Sequence, residues 1–288
     1  MRWLFHVARA EEVGWGPDGR YAPASLASEG FVHASFRDAV RESARLYFDE
    51  EAPLRVLAID PRRLDVPLEI AATPRGPMPH VHGPIPRDAL RVLGLEEVDA
   101  HPDRVTGTRV AFVAFEGMTL LDLVGPLDAL SRIATMGFDP TARCEVVALT
   151  RPEGSSGLEG VPVWAACGAE LRAARFRPPL EEFDLLVVPG GPGWRPLVED
   201  AGVREYLATF PPNRLQASVC TGAMLLGAAG RLAGKRATTH ASAIGELARW
   251  GATPARERVV DEGHVVTAGG VTSGIELGLH LARRLEGD

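Results

Sequence analysis

Cysteine is scarce in this 288-residue chain: Cys144, Cys167 and Cys220 are the only three. Three thiols without a CxxC pair exclude a disulfide framework and a thiolate zinc site, and fit a reducing cytoplasm. Lysine is scarcer still. Lys235 stands alone, which removes Schiff-base catalysis from consideration, and no Walker-type GKS/T sequence occurs. No apolar run is long enough for a membrane span, and residues 1–6 begin a strand pattern rather than a signal peptide. Positive charge is also short. The 31 Lys and Arg against 38 Asp and Glu leave −7 with no basic cluster, which argues against nucleic acid as the main partner. What remains is ordinary globular material, 45% hydrophobic and 24% charged, long enough for two domains.

The richest stretch runs from Leu215 to Ala223. An apolar strand pattern meets Cys220, and small residues then open an apolar helix through Met224, Leu225 and Leu226. A side chain at such a turn stands at the carboxyl end of a sheet, where open α/β folds bind ligands. The positive end of the following helix favours thiolate over thiol there. Ser218 and Gly222 flank the cysteine as small residues flank a nucleophile elbow. Two readings stand at this point: an activated nucleophile, or a small buried hydrophobe.

The chain has two grammars. From about residue 105 onward, strands at 110–115, 144–149, 161–164, 185–188 and 215–219 alternate with helical patterns, the first through Leu123, Leu127, Leu130 and Ile133. Later helices are expected at 198–209, 241–250 and 275–285, with short strands around Arg258 and Val265. Apolar strands interleaved with helices indicate a doubly wound, flavodoxin-like parallel sheet covered on both faces. Residues 1–97 instead combine strands at 3–7 and 54–59 with a helix at 37–48 and long Pro/Gly-rich loops, a smaller α+β domain. Residues 98–107 read as a linker, and 108–288 as the second domain.

Three blocks of the second half resemble the PfpI-type superfamily, whose fold is shared with class I glutamine amidotransferase domains. They are Phe115 with Leu121-Asp122-Leu123-Val124-Gly125-Pro126, then Val188-Pro189-Gly190-Gly191, then Ser218-Val219-Cys220-Thr221-Gly222 continuing to Ala237-Thr238-Thr239-His240. Within it the pattern is most similar to isonitrile hydratases. The resemblance implies Cys220 as nucleophile, Asp122 as acid/base carboxylate and Thr221 as a required hydroxyl neighbour, adding water to a small-molecule isonitrile or a similar small electrophile without a cofactor or metal. It also implies a homodimer. An isonitrile carbon accepts a thiolate while a carboxylic acid protonates it, so the residue types suit the chemistry. Asp122 equally suits a helix N-cap. Gly190 and Gly191 offer backbone amides to a developing anion, or simply permit a tight turn. His240 and Glu116 complete the expected substrate pocket. Thr221 stands where protease-like members carry histidine, which counts against a peptidase. Glu116 on the first loop keeps a glyoxalase or deglycase reading open, and a non-catalytic ligand or redox sensor is a further class. A DNA-binding regulator is disfavoured, because no basic recognition helix follows the last expected helix.

Residues 1–97 resemble a small uncharacterised bacterial domain family distantly similar in fold to ADP-ribosyltransferases. The blocks are Leu4-Phe5-His6-Val7-Ala8, Glu29 to Ser35 around His33, and Pro79-His80-Val81-His82-Gly83. That resemblance makes His6, His33 and His82 candidates for a nucleotide-like ligand. The alternative is histidines that satisfy backbone groups.

Overall fold

A computed structural model describes residues 1–49, 51–152 and 157–286, so the last two residues expected in the second domain lie outside the described residues. The chain forms two compact units, Met1–Val105 and Thr106–Asp288.

In the first unit Leu4–Arg9, Leu54–Ile59 and Leu90–Leu93 form an antiparallel sheet with Leu54–Ile59 in the middle. Alternation divides their side chains between two cores. Leu4, Leu57 and Ile59 pack with Tyr21, Val32 and Ile85, whereas Phe5, Val7, Val56 and Ala58 pack with Trp3, Val40 and Ala44. The expected helix at 37–48 is a 3₁₀ turn at Arg37–Ala39 followed by the α-helix Val40–Tyr47. A second antiparallel sheet orders Val32–His33, Gly76–Val81 and Leu68–Thr73.

The expected linker is largely corrected by the structure. Val98 and Val105 are buried in the second of these cores, and the His101 ring stands edge-on to Trp3 and Phe5. Trp3 N–H donates to Asp103 O and Val105 N–H to Met1 O, each at 2.9 Å. A loop with these apolar contacts is part of the fold it was expected to leave.

The second unit is built on eight strands in the order Glu159–Trp164, Glu170–Phe176, Arg143–Ala148, Arg109–Ala114, Leu185–Val188, Leu215–Val219, Val265–Ala268 and Val259–Asp261. The six interior strands are parallel and each edge pair is antiparallel. Phe112, Val113, Leu186, Val187, Ala217 and Val219 are fully buried, as a sheet covered on both faces requires. The order turns back on either side of Arg109–Ala114, and such a reversal opens a crevice at the carboxyl ends of the strands. One interior strand, Glu170–Phe176, escapes the sequence reading, because its Leu-Arg-Ala-Ala-Arg run has the composition of a helix. Its Arg175 is held by Glu145 at 2.7 Å and Glu182 at 3.1 Å, partners that only the sheet brings near.

The helix Leu120–Thr135 packs on the final helix Ser273–Glu286. The approach is close: a Cβ added at Gly278 would lie 2.8 Å from Pro126 Cα and 2.7 Å from Ala129 Cβ. Among the described residues no helix is long and apolar enough to cross a membrane.

Candidate active site

Three strand ends converge. Arg109–Ala114 leads to the helix whose first turn carries Asp122, Leu185–Val188 runs into Gly190 and Gly191, and Leu215–Val219 ends at Cys220. Cys220 has φ of +55°, a left-handed conformation that strains a non-glycine residue by roughly 1–3 kcal/mol and persists only where surroundings enforce it. The residue is 6% exposed. It is thus buried, as the second reading expects, but it is strained as well.

Asp122 is fully buried. Its Oδ2 accepts from Gly190 N–H at 3.1 Å, and its Oδ1 has no hydrogen-bond partner of good geometry. Burial raises its pKa to about 6, against opposing effects of the Gly190 amide, the Cys220 thiol and, last, His240. The carboxyl therefore faces inward rather than merely capping its helix; the Thr119 cap position makes no side-chain cap bond either.

The expectation that the helix field holds Cys220 as thiolate is corrected. Burial, then the Asp122 charge, push the thiol up to about 12, while the Thr221 backbone N–H and hydroxyl pull it down. A helix terminus supplies about 0.3–1 kcal/mol, less than one pKa unit at ~1.4 kcal/mol per unit. The helix here, Gly222–Ala228, is only seven residues long. Desolvation wins, and between pH 6 and the alkaline limit the Asp122–Cys220 pair holds one proton.

The glycine amides are already engaged. Gly190 N–H goes to Asp122, and Gly191 N–H donates to Thr221 Oγ1 at 3.0 Å. Gly190 is glycine for space: a Cβ there would stand 2.5 Å from Thr221 N and 2.9 Å from Cys220 Cβ. Rather than forming a vacant anion hole, the two amides hold the carboxylate and the hydroxyl that face the sulfur.

Two other candidates lie at the margin. His240 Nδ1 accepts from Ser242 N–H at 3.3 Å and meets Ser242 Oγ at 2.8 Å, so it caps the 3₁₀ segment Ala241–Trp250. Glu116 Oε1 accepts from Trp164 N–H at 3.2 Å, tying it to an edge strand. A hollow of about 530 Å³ lined by Thr119, Leu120, Leu121, Val124, Ala166 and the exposed Cys167 lies beside the helix Leu120–Thr135. Helical spacing puts Leu120 and Val124 on the flank away from Asp122. Cys144, half-buried in a strand, has its thiol raised to about 11 by burial.

Sequence reasoning missed Thr239, whose Oγ1 donates to Cys220 O at 2.7 Å. Nothing local marks a contact across nineteen positions.

In the first unit the three histidines do not form one site. His6 is buried, its Nδ1–H donates to His33 O at 2.6 Å and its Nε2 accepts from Tyr21 OH at 3.0 Å. Burial lowers its pKa to about 4, so it is a neutral core residue. His33 lies on the second sheet and His82 directly after its strand Gly76–Val81; they pair with Glu29 at 2.8 Å and Glu69 at 3.2 Å, around Phe31 stacked on His80. Among the described residues no cluster of His, Cys, Asp or Glu has the arrangement of a metal site.

A doubly wound domain with a strained cysteine ending a central strand, beside a buried carboxylate, defines the class. Residues 108–284 match the DJ-1/PfpI family, more than half of the chain, and the chain belongs to it. Residues 7–92 match a family described as a protein of unknown function, DUF952. The isonitrile hydratase of Pseudomonas putida is 36% identical over 180 residues, covering 62% of this chain and 72% of that protein. A glutathione-independent glyoxalase of Caenorhabditis elegans is 31% identical over 106 residues, covering 36% of this chain and 56% of its own length. The crystal structure of a ThiJ/PfpI family protein from Pseudomonas syringae superposes with TM-score 0.52 at 29% identity, covering 67% of this chain and 74% of that one.

Proposed function

We propose that the second unit is a cysteine-dependent hydro-lyase that adds water to an isonitrile and releases an N-substituted formamide. The observation that carries this reading is the fully buried Asp122 carboxyl, fixed by the Gly190 amide at 3.1 Å, together with the strained, buried Cys220; burial raises both groups, so the pair shares one proton. The Asp122 carboxylate takes the thiol proton as sulfur bonds to the terminal isonitrile carbon, R–N≡C. The same carboxyl returns that proton to carbon, giving the thioimidate R–N=CH–S–Cys220. Water then adds at this carbon, and the nitrogen gains a proton. The C–S bond breaks to give R–NH–CHO, and the thiol regains its proton. Thr221, through its N–H and hydroxyl, steadies charge on sulfur at both steps. A proton moving within one buried pair suits a neutral substrate, because the site's net charge stays the same when that substrate enters and when the proton moves.

The assay is conversion of cyclohexyl or aryl isocyanide to the formamide. Wild type is expected to turn over and Cys220→Ala to fall to the buffer rate. Equal rates for the two proteins across several isocyanides would sink the reading.

A glyoxalase reading is favoured by the similarity to the nematode enzyme, but its expected carboxylate, Glu116, is tied to the Trp164 amide. It requires loss of methylglyoxal that depends on both Cys220 and Glu116. A redox sensor needs a thiolate at rest, and the raised thiol pKa of Cys220 opposes it.

A further inference from the structure

The left-handed backbone of Cys220 is held from two sides. Its N–H donates to Ala268 O at 2.9 Å. Its carbonyl takes the Thr239 hydroxyl at 2.7 Å, whereas the next helical donor, Ala223 N–H, is 3.5 Å away. Thr239 is 3% exposed, so bulk water does not replace that hydroxyl. Its own segment is fixed in turn, because Thr238 N–H donates at 2.9 Å to Thr267 Oγ1 on the neighbouring strand Val265–Ala268. All three threonines are buried.

The peptide joining Cys220 to Thr221 is planar, with its C=O and N–H pointing in opposite directions. One end of that plane is the carbonyl bound by Thr239. The other is the Thr221 N–H, which shares one side of the turn with the cysteine side chain: a Cβ placed on Gly190 would stand 2.5 Å from Thr221 N and 2.9 Å from Cys220 Cβ, and this N–H pulls the thiol pKa down. We propose that Thr239 is a positioning residue for chemistry at Cys220: by gripping the carbonyl it holds the peptide plane so that the Thr221 N–H stays aimed at the sulfur. The inference rests on Cys220 being the reacting group proposed above, but its test does not require isonitrile turnover.

The test is the rate of iodoacetamide alkylation at each cysteine of the intact protein, followed by peptide mass spectrometry from pH 6 to 10. Wild type, Thr239→Ser, Thr239→Val and Thr239→Ala are compared. Losing the aimed donor disfavours thiolate, so Val and Ala should slow Cys220 by about tenfold at a given pH, the equivalent of one unit of thiol pKa. The exposed Cys167 in the same molecules should keep its rate, and Cys144 its protection. Ser, which keeps the hydroxyl, should restore Cys220. Where isocyanide is turned over, kcat should fall with alkylation while KM holds. Cys220 rates within a factor of about two of wild type in Val and Ala, well inside that tenfold expectation, overturn the proposal. So does a failure of Ser to rescue. Loss of the native fold in both Val and Ala, seen as exposure of Cys144, overturns it too, since the hydroxyl is then a structural bond alone. Should no protein turn over any isocyanide, the hydratase reading fails and the alkylation series still decides this one.

Discussion

At the scale of single residues, the proposed chemistry rests on Asp122. Its pKa of about 6 makes the doubly protonated pair predominate in acid, where no base remains to take the thiol proton. The kcat/KM for isocyanide should therefore rise with pH through about 6 and then stay level, with no falling limb at mildly alkaline pH. A profile that falls above pH 6 would mean that Asp122 acts from its acid form instead. The same shift bears on stability. The folded protein binds this proton more tightly than an unfolded carboxyl of ordinary pKa 3.8 does, so stability is lost as pH rises from about 4 to 6. About two pKa units correspond to roughly 3 kcal/mol at neutral pH. Asp122→Asn should thus raise the Tm at pH 7.5 while abolishing turnover, and differ little from wild type at pH 4. A lower Tm at pH 7.5, measured by calorimetry, would contradict the burial cost. The residue itself was legible as an acid at a helix start. Its orientation into the core was not, because helix capping and catalysis ask for the same residue at the same place.

At the scale of elements, the strand-to-helix turns were legible wherever apolar strands ran into glycine or small residues. Residues 215–219 and 185–188 are found within a residue of expectation. The glycines after them serve a purpose that spacing does not disclose. Gly190 gives its amide to Asp122, and its bare Cα lets the Cys220–Thr221 peptide lie against it. Gly190→Ala should push that peptide away, since the new Cβ meets backbone rather than a flexible side-chain end. Expected are a loss of about 2–4 kcal/mol in denaturant unfolding and a fall in turnover of tenfold or more. Wild-type behaviour in both would show that the elbow has slack the structure does not suggest. The strand Glu170–Phe176 marks the opposite case. Only Ala173 in it is fully buried, so the alternation that signals a strand is diluted by polar residues, among them Arg175, whose partner Glu145 lies thirty positions away.

At the scale of the whole molecule, the change of grammar near residue 100 was visible, and the break between the two units falls after Val105, inside the stretch 98–107 read as a linker, most of which packs with the first unit. Proline and acidic side chains at 95–103 imitate a linker, while the groups that bind this segment, Trp3, Phe5 and Met1, lie a hundred positions upstream. A fragment of residues 1–105 should unfold cooperatively, and one of residues 1–97 should be markedly destabilised, having lost Val98, His101 and Val105 from its core. Buried side chains of this size contribute about 1.5–3 kcal/mol each, a large part of the stability of a small domain. Circular dichroism during urea unfolding distinguishes the two, and equal midpoints would restore the linker reading.

The sequence by itself determined the parallel α/β architecture of the second unit, the α+β character of the first and the place of Cys220 at a strand end. Those follow from local periodicity, turn chemistry and residue size, which a short window contains. Only the tertiary structure decided protonation and partnership. The thiol is raised rather than lowered, the glycine amides are occupied, His6 is neutral in a core, and a threonine nineteen residues away holds the cysteine's carbonyl. The physical reason is that desolvation and hydrogen bonding depend on what surrounds a group on every side. At a buried site most of those surroundings come from distant parts of the chain.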